Sequence, residues 1–323
     1  MALNTLSQAH QMLLAQFRTA REVPTSGFFA GHSVEEWNAA LRQSLSAAVK
    51  ALISQGLLRA ATSQEILEST LKVPEIKDQL RKLSLPLSGK KVELVERLAQ
   101  ADPALAKSLA KGRLLQKSTA EGTQQITDFL KATEAARSAM EDSVTHLLAH
   151  GDYREAAHTL ARFEAAQVFP RGMGVDWAHY DTARDEKVLE LIFAQLPQSL
   201  SNASARDLPT FRIAAGMLHL VWNVGQTQTW LSSRFPSQDQ DALFKISSDL
   251  HSFALFLAEI DTLTQIGCPS FQVMTCNDDL VCPGCRELAS NPHSLNSEVQ
   301  IPNPRCSSDW CRCWIGGSWP DSM

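Results

Sequence analysis

The residues best suited to chemistry are seven cysteines confined to the end of the chain. They stand at Cys268, Cys276, Cys282, Cys285, Cys306, Cys311 and Cys313. Cys282-Pro283-Gly284-Cys285 has the spacing of a knuckle, in which both thiolates reach one ion and Gly284 permits the turn that aims backbone N–H groups at sulfur. Tetrahedral zinc takes four ligands, so the second pair must come from Cys306, Cys311 and Cys313. Cys282, Cys285, Cys306 and Cys311 are the favoured set, with Cys313 as the alternative for the last place and Cys276 and His293 as further options. A closed four-Cys site is structural and leaves no seat for water. The competing reading is a set of reduced, unmetallated thiols. A secreted, disulfide-stapled chain would spread its cysteines and carry a signal segment.

Weaker constellations lie upstream. Asp176-Trp177-Ala178-His179-Tyr180-Asp181, with Asp185 and Glu186, holds enough acids for a divalent-metal nuclease site. These residues fall on several helical faces, and a capped, solvated helix start is the expectation. His146 and His150 share a helix face, but the intervening Leu147-Leu148-Ala149 lacks a metalloprotease glutamate. Trp222 and Trp230 read as core residues. Trp310, Trp314 and Trp319 could stack on bases, although packing is expected of them in a tail with so little other core. No phosphate-cradling glycine loop, nucleophile elbow or spacing-defined Cys/His pair is present. The balance leans against an enzyme.

The clearest helical pattern runs from Leu71 to Ala101. Val73, Ile76, Leu80 and Leu83 recur on one helix face, and Val92, Leu94, Val95 and Leu98 repeat the pattern. Leu85-Pro86-Leu87-Ser88-Gly89 reads as an extended turn, with Ser88 as a cap for the helix beginning near Lys90. Two helices this short need each other or a neighbour to bury their apolar faces. Residues 70–102 hold seven Lys or Arg against five Asp or Glu, a modest excess for a nucleic-acid binder.

This segment resembles a SAP motif, the helix-extended loop-helix DNA-binding module. The resemblance rests on Val73-Pro74-Glu75-Ile76-Lys77, Leu80-Arg81, Leu85, Ser88-Gly89-Lys90-Lys91 and Glu93-Leu94-Val95-Glu96-Arg97-Leu98, and covers about a tenth of the chain. It implies that Lys77, Arg81, Lys90 and Lys91 meet the DNA backbone. The N-terminus of the second helix would add backbone N–H groups and its dipole. A helical hairpin docking to protein through an ordinary charged surface is the other reading.

The tail also resembles the C-terminal part of phage head-morphogenesis proteins of the Mu F type. The shared elements are Asp278-Asp279-Leu280-Val281-Cys282-Pro283-Gly284-Cys285, Ile301-Pro302-Asn303-Pro304 and Cys311-Arg312-Cys313. Ser307-Ser308-Asp309-Trp310 replaces the His-Pro that normally precedes the final Cys pair, and no capsid role is carried over.

The remaining elements must position these groups. With 323 residues, 44% hydrophobic and 20% charged, the chain has the composition of a folded protein. A net charge of −5 confines any DNA affinity to a local patch. The first residues form an amphipathic helix without a cleavage site, and Phe253 to Ile260 is too short to span a bilayer; the expected location is the cytoplasm, in a bacterial or prophage protein. A mainly α architecture is expected. Residues 1–66 form an N-terminal helical region, with a stripe from Trp37 through Leu41, Leu45 and Val49 to Leu52 and a capping box at Ser33 and Glu36. The SAP motif occupies 67–102. A basic connector at 103–122, with a short helix, carries Lys107, Lys111, Arg113 and Lys117, which would extend the basic surface of the hairpin. A helical domain follows at 123–265, with breaks at Gly151, Phe169 to Gly174, Ser199 to Pro209 and Pro236. Within it, Leu147 to Gln167 looks like one Ala-lined helical hairpin. A Cys-rich zinc module of strands and loops closes the chain at 266–323.

Three functions fit this organisation. The first is a DNA-binding protein with a structural zinc site. The alternatives are a phage-type assembly or protein-interaction factor, and a DNA-processing nuclease whose catalytic domain the motifs do not reveal.

Overall fold

The computed structural model describes residues 6–172, 174–201, 206–221, 227–236, 239–306, 308 and 310–319. Trp222, Ser307 and Asp309 lie outside them. The protein is mainly helical, with small sheets, and divides into two compact units, Met1–Ala136 and Arg137–Met323. No helix among the described residues is long and apolar enough to cross a membrane.

The first unit opens with α1 (Gln8–Ala15), β1 (Arg21–Glu22) and a small hairpin of β2 (Phe28–Phe29) and β3 (His32–Ser33). The stripe from Trp37 to Leu52 is buried as expected, but on two helices, α2 (Val34–Leu41) and α3 (Leu45–Ser54). The break falls at Arg42, which takes a left-handed φ of 54°, and Asn38 Oδ1 accepts from the Leu45 N–H at 2.7 Å. The capping box at the head of α2 is formed: Ser33 Oγ accepts from the Glu36 N–H at 3.1 Å, and Glu36 Oε2 accepts from the Ser33 N–H at 2.6 Å.

Then follow β4 (Leu58–Ala60), α4 (Ser63–Thr70), α5 (Val73–Lys82), α6 (Lys91–Ala101), α7 (Pro103–Ala110) and β5 (Leu115–Ser118). The segment expected to be a basic connector with a short helix has that helix, α7, and also supplies the middle strand of an antiparallel sheet ordered β1-β5-β4. Leu115 and Ser118 are buried there. The division between the units falls within α8 (Ala120–Ala149).

The second unit continues with α9 (Tyr153–Ala165), α10 (Ala183–Ala194), α11 (Leu208–Val221), α12 (Thr227–Arg234) and α13 (Gln240–Gln265). Val144, Leu148, Leu160, Leu189, Met217 and Leu250 belong to one core. Ala156, Ala157 and Ala161 line the packing side of α9, as the Ala-rich hairpin pattern predicts. Trp230 packs against this core, and its Nε1–H donates to the buried Glu141 at 3.0 Å.

The tail forms β6 (Ser270–Met274), α14 (Pro283–Leu288), β7 (His293–Ser294) and β8 (Trp314–Ser318), with sheet order β7-β6-β8. Phe271, Val273 and Ile315 close on Phe256 and Leu263 of α13. The three tail tryptophans depart from expectation: Trp310, Trp314 and Trp319 are 44%, 50% and 58% exposed. Cys268, Cys282, Cys285 and Cys311 and one face of the sheet fill the tail's interior instead.

Candidate nucleic-acid interface and candidate metal centre

In the first unit, α5 and α6 form a helical hairpin whose inner faces are Ile76 and Leu80 against Leu94, Val95 and Leu98. Val73 and Leu83 pack at the edge of this core. Val92 faces out and is 48% exposed, against the expectation that it belongs to the buried face. Its position next to the helix start puts it one side-chain step off the stripe. Neighbouring α4 and α7 complete the core with Ile66, Leu67, Ala106 and Ala110, so the two short helices are not left to stabilise themselves.

The loop between them is held by a device that the pattern did not reveal. Arg97 of α6 donates through Nη1 to the carbonyls of Pro86 and Ser88, at 2.5 and 3.0 Å. Ser88 thus contributes its backbone and does not cap α6. The cap residue is Lys90, whose N–H donates to Glu93 at 3.0 Å. Gly89 is required at its place: its φ is +124°, and a Cβ there would meet Glu93 Oε2 at 2.6 Å.

Lys77 and Arg81 lie one turn apart on α5, and Lys90 and Lys91 stand at the start of α6. Arg81 and Lys90 are exposed, while Lys77 and Lys91 are half-buried. Arg81 pairs with Asp78 one turn before it, an exposed contact of small energetic weight. Of the cations expected to broaden this surface, Lys117 is engaged internally, bonded to Glu65 at 3.0 Å. Glu65 also takes both arms of Arg59, at 2.7 and 2.8 Å. The Arg59 bonds are the main reason that its carboxyl lies far below the ordinary range.

Residues 69–103 match the family model of the SAP domain. The match covers the hairpin together with the last residues of α4 and the start of α7. A SAP domain points to nucleic-acid binding. No curated protein and no solved structure matches the chain.

In the tail, α14 presents Cys282 as its N-terminal cap and Cys285 in its first turn, and the Cys285 N–H donates to Cys282 Sγ at 3.4 Å. Gly284 lies in the turn between them and does not take a positive φ. A side chain there would crowd the buried Asn303, 3.1 Å from its Nδ2. The approach to β8 brings in the other thiols. The Sγ atoms of Cys282, Cys285 and Cys306 all lie within 4.8 Å of one another, as do those of Cys285, Cys311 and Cys313. Ligand sulfurs about 2.3 Å from a tetrahedral zinc stand roughly 3.8 Å apart, so this clustering could hold a metal ion. Cys285 is common to both groups and fully buried. Cys276 and His293, the other options, take different partners: Cys276 donates to the Arg312 carbonyl at 3.6 Å, and His293 Nε2 bonds the Leu288 carbonyl at 2.7 Å.

The five thiols share protons unequally. Cys311 is pushed well down because Cys285, Cys306 and Cys313 all donate toward it, and Cys285 is pushed up for the converse reason. Burial is the largest influence on Cys282 and opposes its ionisation, but the Cys285 N–H and the Cys285 and Cys306 thiols together outweigh it and lower its pKa. Cys306 and Cys313 are also pushed up, so a cation entering the cluster would have to displace protons from most of these thiols.

A second polar cluster was missed from the sequence. Asp185, expected on a solvated helix start, is buried and accepts from His219 Nε2 at 3.1 Å, while His219 Nδ1 meets His251 Nε2 at 3.2 Å. With a carboxylate at Asp185, the network assigns the proton between the rings to His251. Burial lowers His251 to about 3, helped by His219, and burial beside Asp185 raises Tyr180 to about 12. Asp176 and Asp181 do cap as expected, accepting from the N–H groups of Ala178 and Ala183. His146 and His150 are exposed and stacked 4.2 Å apart.

His251 gives a pH expectation. Besides His219 and Asp185, the cavities it borders carry Arg171, Tyr180, Arg184, Glu259 and Arg312. A histidine held neutral in the fold but free to charge when unfolded stabilises fully above about pH 6.5 and loses that contribution as pH falls toward 3. The thermal midpoint should therefore fall more between pH 7 and pH 4 in the wild type than in His251→Gln, which can still donate to His219. Equal pH dependence in the two proteins would remove His251 as the source.

Proposed function

We propose that the protein binds DNA through its SAP hairpin, gripping the phosphate backbone with Lys77, Arg81, Lys90 and Lys91, and that a structural zinc ion closes its tail. The carrying observation is the hairpin itself: two helices with a shared buried face, a clamped extended loop and basic residues left outside, over a segment that matches the SAP domain. Phosphate neutralisation supplies the affinity, and the N-terminus of α6 offers N–H groups beside Lys90 and Lys91. Zinc is favoured over other ions because, among the described residues, every group in the cluster is a thiol. Cys282, Cys285, Cys306 and Cys311 are the proposed ligands, with Cys313 competing for the last place. The cation has a structural role, holding α14 to the strand approach.

The test is DNA binding by the full chain as a function of salt. The wild type should bind a short duplex at low salt, with affinity falling linearly on a log–log scale. Replacing all four basic residues with Ala should weaken binding and flatten that slope by as much as about 3–4, at about 0.9 for each phosphate no longer neutralised. Helical circular dichroism should be unchanged, because none of the four lies in the core. A wild-type protein with no DNA affinity at low salt would overturn the reading.

A further inference from the structure

The first unit contains a basic cleft that the SAP match covers only in part, at Ser69 and Lys91. A cavity of about 460 Å³ is lined by Arg18, Arg21, Lys91 and Lys117 together with Glu65 and Glu68, and by the hydroxyl residues Thr19 and Ser69. Its walls come from different parts of the chain. Arg18 and Thr19 follow α1, Arg21 opens β1, Glu65 to Ser69 belong to α4, Lys91 opens α6, and Lys117 lies on β5. The fold fixes the outward aim of the N-terminal pair, since Phe17 and Ala20 on either side of Arg18 and Thr19 are buried.

The charges inside the cleft leave a surplus of cations. Glu65 is occupied by Arg59 and Lys117. Arg18, Arg21 and Lys91 have no ion-pair partner among the described residues, and Glu68 is the one remaining acid in the lining. In a chain of net charge −5, three cations facing one concavity are kept together against their mutual repulsion, which an anion in the cleft would relieve. Guanidinium groups suit phosphate oxygens by their forked geometry, and the hydroxyls of Thr19 and Ser69 are donors of the kind that phosphate accepts.

Resting on the DNA-binding reading above, we infer that this cleft receives a phosphodiester of the same duplex, contacted by Arg18, Arg21 and Lys91. Lys91 links the two surfaces, since it both opens α6 of the hairpin and lines the cleft. The nucleic-acid footprint thus extends from the hairpin onto the β1 edge, and Arg18 and Arg21 are binding residues some seventy positions away from Lys91 in sequence.

The experiment compares three full-length proteins on a fluorescent DNA duplex across a salt series: wild type, the double variant R18Q/R21Q, and the double variant K77A/R81A. Arg18 and Arg21 are exposed, so the first variant should melt like the wild type. It should bind several-fold more weakly at low salt, with a log–log slope flatter by about 1–2. Wild-type slope and affinity in R18Q/R21Q, with weakened binding in K77A/R81A, would overturn the cleft and leave the hairpin reading standing. Weakened binding in R18Q/R21Q alone would keep the cleft and overturn the role of Lys77 and Arg81. No binding by wild type would overturn both. Inorganic phosphate, at matched ionic strength, should displace the duplex no better than chloride does. Selective displacement that depends on Arg18 and Arg21 would make the cleft a site for free phosphate and overturn the phosphodiester assignment.

Discussion

Cys285→Ser should strip the tail of its metal. Protein purified without added metal should carry about one zinc ion per chain, as a single closed four-thiolate site requires, and the variant should carry close to none. Cys285 is the thiol common to both clusters and is fully buried, so no rearrangement among the remaining four recovers its place. Cys313→Ser should have a smaller effect, since Cys282, Cys285, Cys306 and Cys311 would remain. Because metal-binding free energy is folding free energy in a module with little other core, limited proteolysis should cut Cys285→Ser after residue 266 far faster than wild type. Chelation should act the same way. The core shared by α9, α10, α11 and α13 contains no cysteine, so the helical circular dichroism signal should persist in both cases. A metal-free wild type with a compact, protease-resistant tail would refute the site.

Leu80→Asp should unfold the hairpin and, with it, much of the first unit. Leu80 is fully buried among Ile76, Leu94 and Leu98 and touches the core supplied by α4 and α7. The substitution removes a leucine side chain from a packed site and places a carboxylate without a partner there. The destabilisation is on the order of 4 kcal/mol or more. Leu94→Asp should behave alike, whereas Val92→Asp, on an exposed position of the same helix, should be nearly neutral. Thermal melts of the three variants decide the matter: a normal midpoint for Leu80→Asp or Leu94→Asp would mean that the buried face is misassigned.

These contrasts show which physical signals a sequence carries. Periodicity located Ile76, Leu80, Leu94 and Leu98, because a helix buried on one side writes its face as spacing. Local capping was equally legible at Ser33 and Glu36, since both partners lie within one turn. The knuckle at Cys282 and Cys285 was visible for the same reason, and the proximity of Cys306, Cys311 and Cys313 to it followed from the need for more thiols. Contacts between distant segments left no such trace. Nothing in the local pattern connects Arg97 with the carbonyl of Pro86, Asp185 with His219, or Arg18 with Lys91. Short strands were equally silent. Leu115–Ser118 reads as Lys-containing linker because a four-residue strand has too few alternations to register, and its role depends on β1 and β4 lying beside it. The Trp37 stripe ran unbroken in sequence through Arg42, since a change of helix direction need not disturb the spacing of apolar residues.

The pairing of β4 with β5 has a mechanical meaning for the SAP hairpin. Arg59 faces Lys117 and Ala60 faces Gln116 across the ladder, and the Ala61 N–H donates to the Leu115 carbonyl at 2.9 Å. Everything from residue 61 to residue 114, the hairpin included, is therefore a loop tied off at its neck. When the hairpin opens while the neck holds, its chain gains less freedom than a free segment would, and the entropy that favours opening is reduced accordingly. Strain applied to the hairpin reaches the neck before it can release the loop. The resistance of the hairpin to opening is set in part by a strand outside it.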